Sequence, residues 1–296
     1  MRALILGCGY VGTALAAELL QRGAEVHAVR RSAAEPVPAP LERVRWLTLD
    51  LTRREAVQTL RQRWEVVINC VSSSRGGVEV YRQVFLEAGR HLREVLAADP
   101  PDLYIHLSST SVYGQTDGGW VTEDSPTAPA SETAQVLVAT EQEWRAAGLP
   151  VTILRLAGIY GPGRCFWLQQ FLAGQARLGE GEGRWLNMIH RDDVVAAILA
   201  AWEQRAAAAG RVYNVADDHP VTPRELYGWL AEVLHRPLPP AAEAGERAPR
   251  KRALTHKRVS NLRLKAELGW QPRYPDFRRG FGEEIRRLQS EGLPAG

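Results

Sequence analysis

Hydroxyl side chains are concentrated in one stretch of this chain, Ser108-Ser109-Thr110-Ser111-Val112-Tyr113-Gly114. The stretch follows the apolar run 103–107, which predicts that these hydroxyls lie where a buried strand ends. A hydroxyl in such a place can hydrogen-bond the carbonyl or hydroxyl group of a substrate, and Ser109 is the candidate for this catalytic role. The same side chains can instead bind backbone groups in a strand-to-loop turn. The sequence leaves both interpretations open.

Glycines at positions 7, 9 and 12 form a second candidate site. They follow a predicted strand and open a predicted helix, the context in which Gly-x-Gly-x-x-Gly binds a dinucleotide. The first glycine allows a tight turn, the second lets the backbone approach the pyrophosphate, and the third lets helix and strand pack closely. The helix N-terminus adds amide donors for the phosphates. The cofactor-binding residues predicted here are Gly7, Cys8, Gly9, Tyr10, Val11 and Gly12.

The end of the second predicted strand selects the cofactor. NAD-binding sites place an acidic residue there for the ribose 2′-hydroxyl, whereas NADP-binding sites offer arginine to the 2′-phosphate. This chain has Arg30, Arg31 and Ser32, and the first acidic residue after them is Glu35. Guanidinium and hydroxyl groups bind phosphate through charge-assisted hydrogen bonds. We therefore predict that NADP(H) is preferred over NAD(H). The alternative is that both arginines are solvated surface charges.

The elements that would position these residues alternate between short apolar runs and helical patterns. This order predicts an α/β fold built on a Rossmann-type doubly wound parallel sheet. Strands are predicted at 3–6, 26–29, 44–49, 66–70, 103–107, 151–156 and 212–215. Helices are predicted at 11–20, 53–61, 78–97, 132–147, 192–202, 223–234, 262–268 and 277–288. Loops are predicted at 32–40 and 236–252, where proline is frequent.

Two parts of the chain are predicted to have different tasks. Residues 1–163, with 189–216 returning to them, should form an NAD(P)-binding domain. Residues 164–188 and 217–296 should form a smaller, mainly helical C-terminal part that binds a small-molecule substrate. A net charge of +3 over 296 residues, with charges of both signs interspersed, does not suggest nucleic acid or a membrane surface as a partner. A homodimer is left open.

The cysteines at positions 8, 70 and 165 are odd in number and lack a paired spacing. A disulfide framework or a structural metal site is therefore not expected, and a reducing, cytoplasmic location fits better. No run of the sequence approaches the roughly 18 apolar residues that a membrane span requires.

Taken together, these motifs resemble the extended short-chain dehydrogenase/reductase family, in its NAD-dependent epimerase/dehydratase branch. Further motifs that carry the resemblance are Asp50-Leu51-Thr52, Asn69-Cys70-Val71-Ser72, Leu154-Arg155, Ile159-Tyr160-Gly161-Pro162-Gly163, Tyr213-Asn214-Val215 and Leu268-Gly269-Trp270-Gln271-Pro272. The resemblance implies that Asp50 and Leu51 flank the adenine. It also implies that Cys70, Val71 and Ser72 lie along the cofactor, and that Gly158 and Ile159 approach the nicotinamide.

The family's acid/base pair, Tyr-x-x-x-Lys, is missing from this chain. Its three lysines are at 251, 257 and 265, and none follows a tyrosine by four residues. Alignment on the family's helix places Thr133 at the tyrosine position and Leu137 at the lysine position. General acid–base catalysis contributes about 10²–10⁴-fold, so we expect negligible activity on UDP-sugars. Tyr113, Glu132, Tyr160 and His190 are conceivable substitute acids, although a structural role is the simpler interpretation of each.

Two functional hypotheses follow. The first is an NADP(H)-dependent oxidoreductase or epimerase-like enzyme with a non-standard active site, whose substrate lies between the cofactor domain and the C-terminal part. Trp167, Arg184, Trp185 and the basic cluster 250–258 could contact a polar or anionic ligand there. The alternative is a catalytically silent NADP(H)-binding sensor or scaffold, which the missing tyrosine and lysine favour.

Overall fold

Seven parallel strands form the central sheet of the molecule. The structure is a computed structural model that describes residues 1–32, 40–73, 76–179, 181, 183–242 and 255–292. The strands in chain order are β1 (Arg2–Leu6), β2 (Glu25–Arg30), β3 (Arg45–Thr48), β4 (Val66–Asn69), β5 (Leu103–Ser109), β6 (Trp120–Val121), β7 (Val151–Leu156), β8 (Gly158–Tyr160), β9 (Met188–His190), β10 (Val212–Val215) and β11 (Arg258–Val259). The central sheet has the order β3-β2-β1-β4-β5-β7-β10, while β6 pairs with β11 and β8 with β9.

Helices connect these strands and complete the C-terminal part. They are α1 (Tyr10–Gln21), α2 (Arg54–Gln58), α3 (Val78–Tyr81), α4 (Ala88–Ala98), α5 (Glu132–Arg145), α6 (Phe166–Leu172), α7 (Arg191–Glu203), α8 (Arg205–Ala208), α9 (Pro223–Val233), α10 (Leu262–Leu268) and α11 (Phe277–Ser290). A π-helical segment, Arg82–Glu87, joins α3 to α4. Short 3-10 turns span Leu41–Arg43 and Thr110–Val112. The described helices include none long and apolar enough to cross a bilayer.

The sheet is buried on both faces, as expected for parallel strands connected by helices. Alternate residues of β1 show this arrangement: Ala3 and Ile5 belong to one apolar cluster, and Leu4 and Leu6 to another. The first cluster includes apolar residues of α1 and α7, and the second includes residues of α4. The predicted α/β class with a Rossmann-type doubly wound sheet is therefore confirmed.

A third apolar cluster lies in the C-terminal part. It joins residues of α6, α9 and α11, among them Leu168, Leu230 and Phe281. Helix α10 instead contributes Leu264 and Leu268 to the cluster on the central sheet. The assignment of all of 217–296 to a separate substrate-binding part thus remains a prediction, and within it α10 packs on the sheet.

Most predicted elements occur within a few residues of their expected bounds. β5 is longer than predicted, because it runs to Ser109 instead of ending at residue 107. The short elements α6, α8, β6, β8, β9 and β11 were not predicted, since two to seven residues carry little periodicity. Most of the predicted loop 32–40 and residues 243–252 of the predicted loop 236–252 lie outside the described residues.

His106, on β5, is a fully buried imidazole. Neither ring nitrogen has a hydrogen-bond partner among the described residues, and the ring lies 6.3 Å from those of Tyr104 and Trp144. Burial lowers the pKa of His106 to about 4. The unfolded chain, in which histidine has a pKa of about 6.5, binds a proton that the folded protein excludes until about pH 4. His106 therefore costs stability as the pH falls through this interval, by about 3 kcal/mol in total.

We expect His106→Leu to reduce the loss of stability on acidification, because leucine has a similar volume and binds no proton. The free energy of unfolding, from urea denaturation at several pH values between about 7.5 and 4, measures the effect. His235→Asn is the control, since His235 is exposed and asparagine tolerates its φ of 52°. Parallel pH profiles for the parent and His106→Leu would contradict the prediction.

Candidate functional site

The glycine turn connects β1 to α1, and each of its three glycines meets a different constraint. Gly7 has a φ of +78°, and a Cβ atom there would lie 2.7 Å from the Cα of Val71. A Cβ on Gly12 would lie 3.1 Å from the carbonyl oxygen of Gly7. At Gly9 the position of a Cβ is open, with no heavy atom within 4 Å. Among the described residues, the backbone of this turn is therefore open to a ligand at Gly9 and crowded at Gly7 and Gly12.

A cavity of about 860 Å³, here called the first cavity, opens beside this turn at the carboxyl ends of β1, β2 and β4. The predicted cofactor-binding residues that line it are Gly7, Cys8, Gly9, Arg30, Arg31, Ser32, Asp50, Leu51, Val71 and Ser72. Helix α1 begins here without a side-chain cap and without an acidic residue in its first turn. Its amide dipole is thus available to an anion, so these residues suit a dinucleotide pyrophosphate.

Arg30 is engaged with the glycine turn itself. Its Nε donates to the carbonyl oxygen of Cys8 at 2.7 Å, and a terminal nitrogen donates to Thr13 Oγ1 at 3.2 Å. The guanidinium also lies 4.0 Å from the ring centroid of Trp46. Arg31 is exposed beside it on the rim of the first cavity. Arg30 consequently braces the turn, whereas Arg31 is positioned to meet a ligand.

Asp50 and Cys70 have local roles as well. Asp50 Oδ1 accepts from the amide of Thr52 at 3.0 Å and from its hydroxyl at 2.8 Å, and the first of these bonds is the main cause of its lowered pKa. Cys70 follows β4, and burial raises the pKa of its thiol. Cys8 is also buried with a raised pKa, so neither thiol is a ready nucleophile.

Tyr10, Val11 and Gly12 form the first turn of α1, outside the lining of the first cavity. The hydroxyl of Tyr10 donates to the carbonyl oxygen of Pro162 at 3.1 Å. Its ring lies 5.2 Å from the guanidinium groups of both Arg164 and Arg191. Tyr10 thereby ties the glycine turn to the loop that follows β8.

A second cavity, of about 310 Å³, lies at the carboxyl ends of β5 and β7. Ser109, Gly158 and Ile159 line it, as do the predicted ligand contacts Trp167 and Trp185. Arg184 is not among its lining residues. The remaining lining residues are Thr110, Ser111, Gly114, Pro129, Ala130, Ser131, Leu156, Ala157, Tyr160, Arg164, Phe166, Leu186, Asn187, Met188, Thr255 and Lys257. The cavity therefore combines an aromatic wall with a small set of polar groups.

Ser109 is the last residue of β5 and lines this second cavity. Its Oγ accepts a hydrogen bond from the amide of Ser111 at 3.1 Å, which caps the short turn Thr110–Val112. An accepting hydroxyl oxygen keeps its own proton to donate. The turn-capping role is thus observed, and a substrate-facing role for the same hydroxyl remains a prediction.

Tyr113 belongs to a buried polar network beneath the second cavity. Its hydroxyl donates to Asn214 Oδ1 and accepts from Arg155, both at 2.8 Å. Arg155 also binds both carboxylate oxygens of Glu141, at 2.7 to 3.2 Å, and Ser108 donates to that carboxylate at 2.5 Å. Burial raises the pKa of Tyr113. These contacts support the structural interpretation of Tyr113.

Two of the other three substitute acids, Tyr160 and His190, also have structural contacts. Tyr160 donates to the carbonyl oxygen of Asp276, and burial raises the pKa of its phenol. His190 Nδ1 accepts from the amide of Asp192 at the start of α7, and burial lowers its pKa to about 4. Glu132 is exposed in the first turn of α5. Tyr160 lines the second cavity but donates its hydroxyl proton to Asp276, and neither His190 nor Glu132 is among the described residues that line this cavity.

Helix α5 contains Thr133 and Leu137, the residues that align with the family's tyrosine and lysine. Leu137 is buried in the core, and the hydroxyl of Thr133 lies 3.4 Å from that of Ser131. The described residues that line the second cavity include Ser131, before the helix, but neither Thr133 nor Leu137. Neither of the two aligned positions therefore contributes a group to the described lining of this cavity.

Lys257 is the functional candidate that sequence reasoning missed. It lies far from Ser109 in the chain, yet it lines the same cavity and is only 5% exposed. The basic cluster 250–258 had been considered as a whole, and residues 250–254 lie outside the described residues. The available signal was rarity: the chain has 37 lysines and arginines but only three lysines.

These features define a class of protein. A doubly wound parallel sheet whose first strand leads through a three-glycine turn into a helix is a dinucleotide-binding Rossmann fold. The chain belongs to the NAD dependent epimerase/dehydratase family, whose model matches residues 3–216. The resemblance stated from the sequence is thus confirmed.

Relatives of the chain extend over nearly its whole length. A 3-diazoavenalumate denitrifying reductase of Streptomyces sp. is 28% identical over 96% of this chain and 100% of its own. Protein YeeZ of Escherichia coli (strain K12) is 30% identical over 93% and 97%, respectively. A solved structure from Methylobacillus flagellatus, described as a candidate NAD-dependent epimerase/dehydratase, is 33% identical, covers 97% of this chain and 98% of its own, and has a TM-score of 0.78.

Proposed function

We propose that this protein is an NADP(H)-dependent oxidoreductase that reduces a carbonyl group, or oxidises the matching alcohol, of a small molecule. The observation that carries the proposal is the position of the two cavities. Both open at the carboxyl edge of one parallel sheet, where open α/β sheets bind their ligands. The first has the phosphate-binding turn, and the second has Ser109 and an aromatic wall. A dinucleotide in the first cavity and a substrate in the second would be neighbours.

The residues of this chain would divide the work as follows. The amides at the start of α1 would hold the pyrophosphate, and Asp50 with Leu51 would flank the adenine. The bound nicotinamide would supply or accept the hydride. Ser109 would orient the substrate by donating a hydrogen bond to its oxygen. Since α5 has no tyrosine or lysine at the expected positions, the active site is of a non-standard kind and its proton must come from elsewhere.

The same geometry supports NADP(H) over NAD(H). We expect NADPH to bind at least about tenfold more tightly than NADH, a difference of about 1.4 kcal/mol. Arg31→Ala should remove most of this preference, because its guanidinium is exposed at the first cavity whereas that of Arg30 is bonded to the glycine turn. Quenching of tryptophan fluorescence during nucleotide titration measures both dissociation constants.

Arg61→Ala is the matched control, since Arg61 is also exposed but lines neither cavity. It should leave the affinities for NADPH and NADH unchanged. This result would show that the loss in Arg31→Ala comes from the position of Arg31 and not from the lower net charge of the protein. Equal affinity of the parent protein for NADPH and NADH would refute the cofactor assignment. Tight NADPH binding without turnover of any carbonyl compound would instead favour the sensor or scaffold.

The relatives support chemistry on a small molecule without identifying it. The Streptomyces relative that matches 96% of this chain is by name a reductase. The second cavity is bordered by Phe166, Trp167 and Trp185, which favours a substrate with an apolar or aromatic part. Reduction of an aromatic aldehyde by NADPH is therefore the first reaction to assay.

A further inference from the structure

Lys257 is brought to the second cavity by a small sheet that the sequence did not predict. Strand β11 begins directly after it and pairs with β6, so that Arg258 lies opposite Trp120. The guanidinium of Arg258 lies 5.1 Å from the ring of Trp120 and 5.4 Å from that of Trp185. The amide of Arg258 also donates to the carbonyl oxygen of Gly119 at 2.8 Å. The backbone next to Lys257 is therefore held from both sides.

Asn187 fixes the same backbone from the opposite direction. Its Nδ2 donates to the carbonyl oxygen of Lys257 at 2.9 Å, and its Oδ1 accepts from the amide of Val259 at 2.7 Å. Asn187 itself lines the second cavity. These two bonds fix the backbone from which the side chain of Lys257 extends into the lining of the cavity.

The ammonium group of Lys257 is buried and is engaged by two neutral oxygens. Its Nζ donates to the carbonyl oxygen of Tyr113 at 3.1 Å and to Thr255 Oγ1 at 2.9 Å. No ion pair with a carboxylate of the described residues engages it, and burial alone lowers its pKa to about 8. Lysine has three donors, so one is left for a ligand. A buried, unpaired cation in a cavity is costly unless an oxygen of a ligand completes its shell.

We propose that Lys257 is the proton donor of the second cavity and takes over the task of the tyrosine and lysine missing from α5. The inference rests on the proposed reduction of a carbonyl group by NADPH. As the hydride reaches the carbonyl carbon, the electron pair of the C=O π bond moves to the oxygen. That oxygen takes a proton from Nζ, whose N–H electron pair stays on nitrogen, and the neutral amine regains a proton from water.

A titration of the lysines tests this role without any turnover. Protein labelled with ¹³C at lysine Cε should give one signal for each of its three lysines, and Lys257→Arg identifies the signal of Lys257. We expect this signal to titrate near pH 8 in the NADPH complex. Benzoate, whose carboxylate stands in for the developing alkoxide, should raise the midpoint by at least about one unit, a tenfold change in proton affinity. Acetate is a second, smaller carboxylate probe. A titration midpoint of Lys257 near pH 10.4, or a midpoint that neither benzoate nor acetate shifts, would overturn the proposal.

Kinetics with benzaldehyde and NADPH provide the second arm. Lys257→Met should lower kcat by about 10²–10⁴-fold, the usual contribution of a general acid, while the Kd for NADPH stays unchanged. Methionine fills the volume of the lysine stem, so folding should be retained. In the parent, kcat should fall as the pH rises through about 8, because the donor loses its proton, and Lys257→Arg should abolish this fall.

Lys265→Met is the control, because Lys265 pairs with Asp218 and lies outside both cavities. It should leave kcat and the pH profile as in the parent. An unchanged kcat in Lys257→Met, with NADPH still bound, refutes the role of Lys257 and leaves the proposed function standing. Failure of the parent to bind NADPH refutes the proposed function. In that case the titration of Lys257 with benzoate and without NADPH tests whether this lysine can donate a proton to a ligand in the second cavity.

Discussion

Gly9→Val should abolish the binding of NADPH and leave the protein folded. A Cβ on Gly9 would have no atom of the described residues within 4 Å, so the first atom of the valine side chain finds open space. The same space is the one that a pyrophosphate must enter to reach the amides of α1. We expect an affinity at least about a hundredfold weaker, or about 2.8 kcal/mol, by isothermal titration calorimetry.

The matched control is Gly77→Val. Gly77 also precedes a helix, has a φ of −83° against −94° for Gly9, and likewise has no heavy atom within 4 Å of an added Cβ. It lines neither cavity. The control should bind NADPH as the parent does, and both variants should keep the parent's circular dichroism. Undiminished affinity in Gly9→Val would mean that the dinucleotide binds elsewhere.

Glu141→Ala should destabilise the protein by about 3–5 kcal/mol, because it leaves the guanidinium of Arg155 buried without its counter-charge. Glu141 and Arg155 are 3% and 4% exposed, and the carboxylate also accepts from Ser108. Removing one partner of a buried ion pair lowers the free energy of unfolding by more than the intact pair contributes to it, because the remaining charge stays buried. The free energy of unfolding, from urea denaturation at neutral pH, measures the effect.

Glu143→Ala is the control on the same helix. Glu143 pairs with Arg90 and Arg93, but these side chains are partly exposed, and pairs of this kind contribute only about 0–1 kcal/mol. A loss for Glu141→Ala as small as that for Glu143→Ala would contradict the assignment. The Glu141–Arg155 pair is connected to the second cavity through Tyr113. Arg155 donates to the hydroxyl of Tyr113, and the carbonyl oxygen of Tyr113 accepts from Lys257.

Much of the fold could be predicted because its signals are local. A buried parallel strand appears as a continuous apolar run, and an amphipathic helix repeats its apolar residues every three or four positions. The turn at Gly7–Gly12 is contained in six neighbouring residues, so its place between β1 and α1 was predictable. The short strands β6 and β11 could not be predicted, because two residues have no period and their pairing joins segments far apart in the chain.

The sequence by itself determined the Rossmann fold, the phosphate turn and the lack of Tyr-x-x-x-Lys, since each of these is a pattern within one segment. It did not determine which side chain meets Ser109. Only the tertiary structure showed which hydrogen bonds hold Tyr113, Tyr160 and His190, and it brought Lys257 into the second cavity through a contact with Tyr113, 144 residues away in the chain. The burial of a side chain and its hydrogen-bond partners depend on contacts between distant parts of the chain. These two factors set its protonation and reactivity, which therefore cannot be determined from one segment of the sequence.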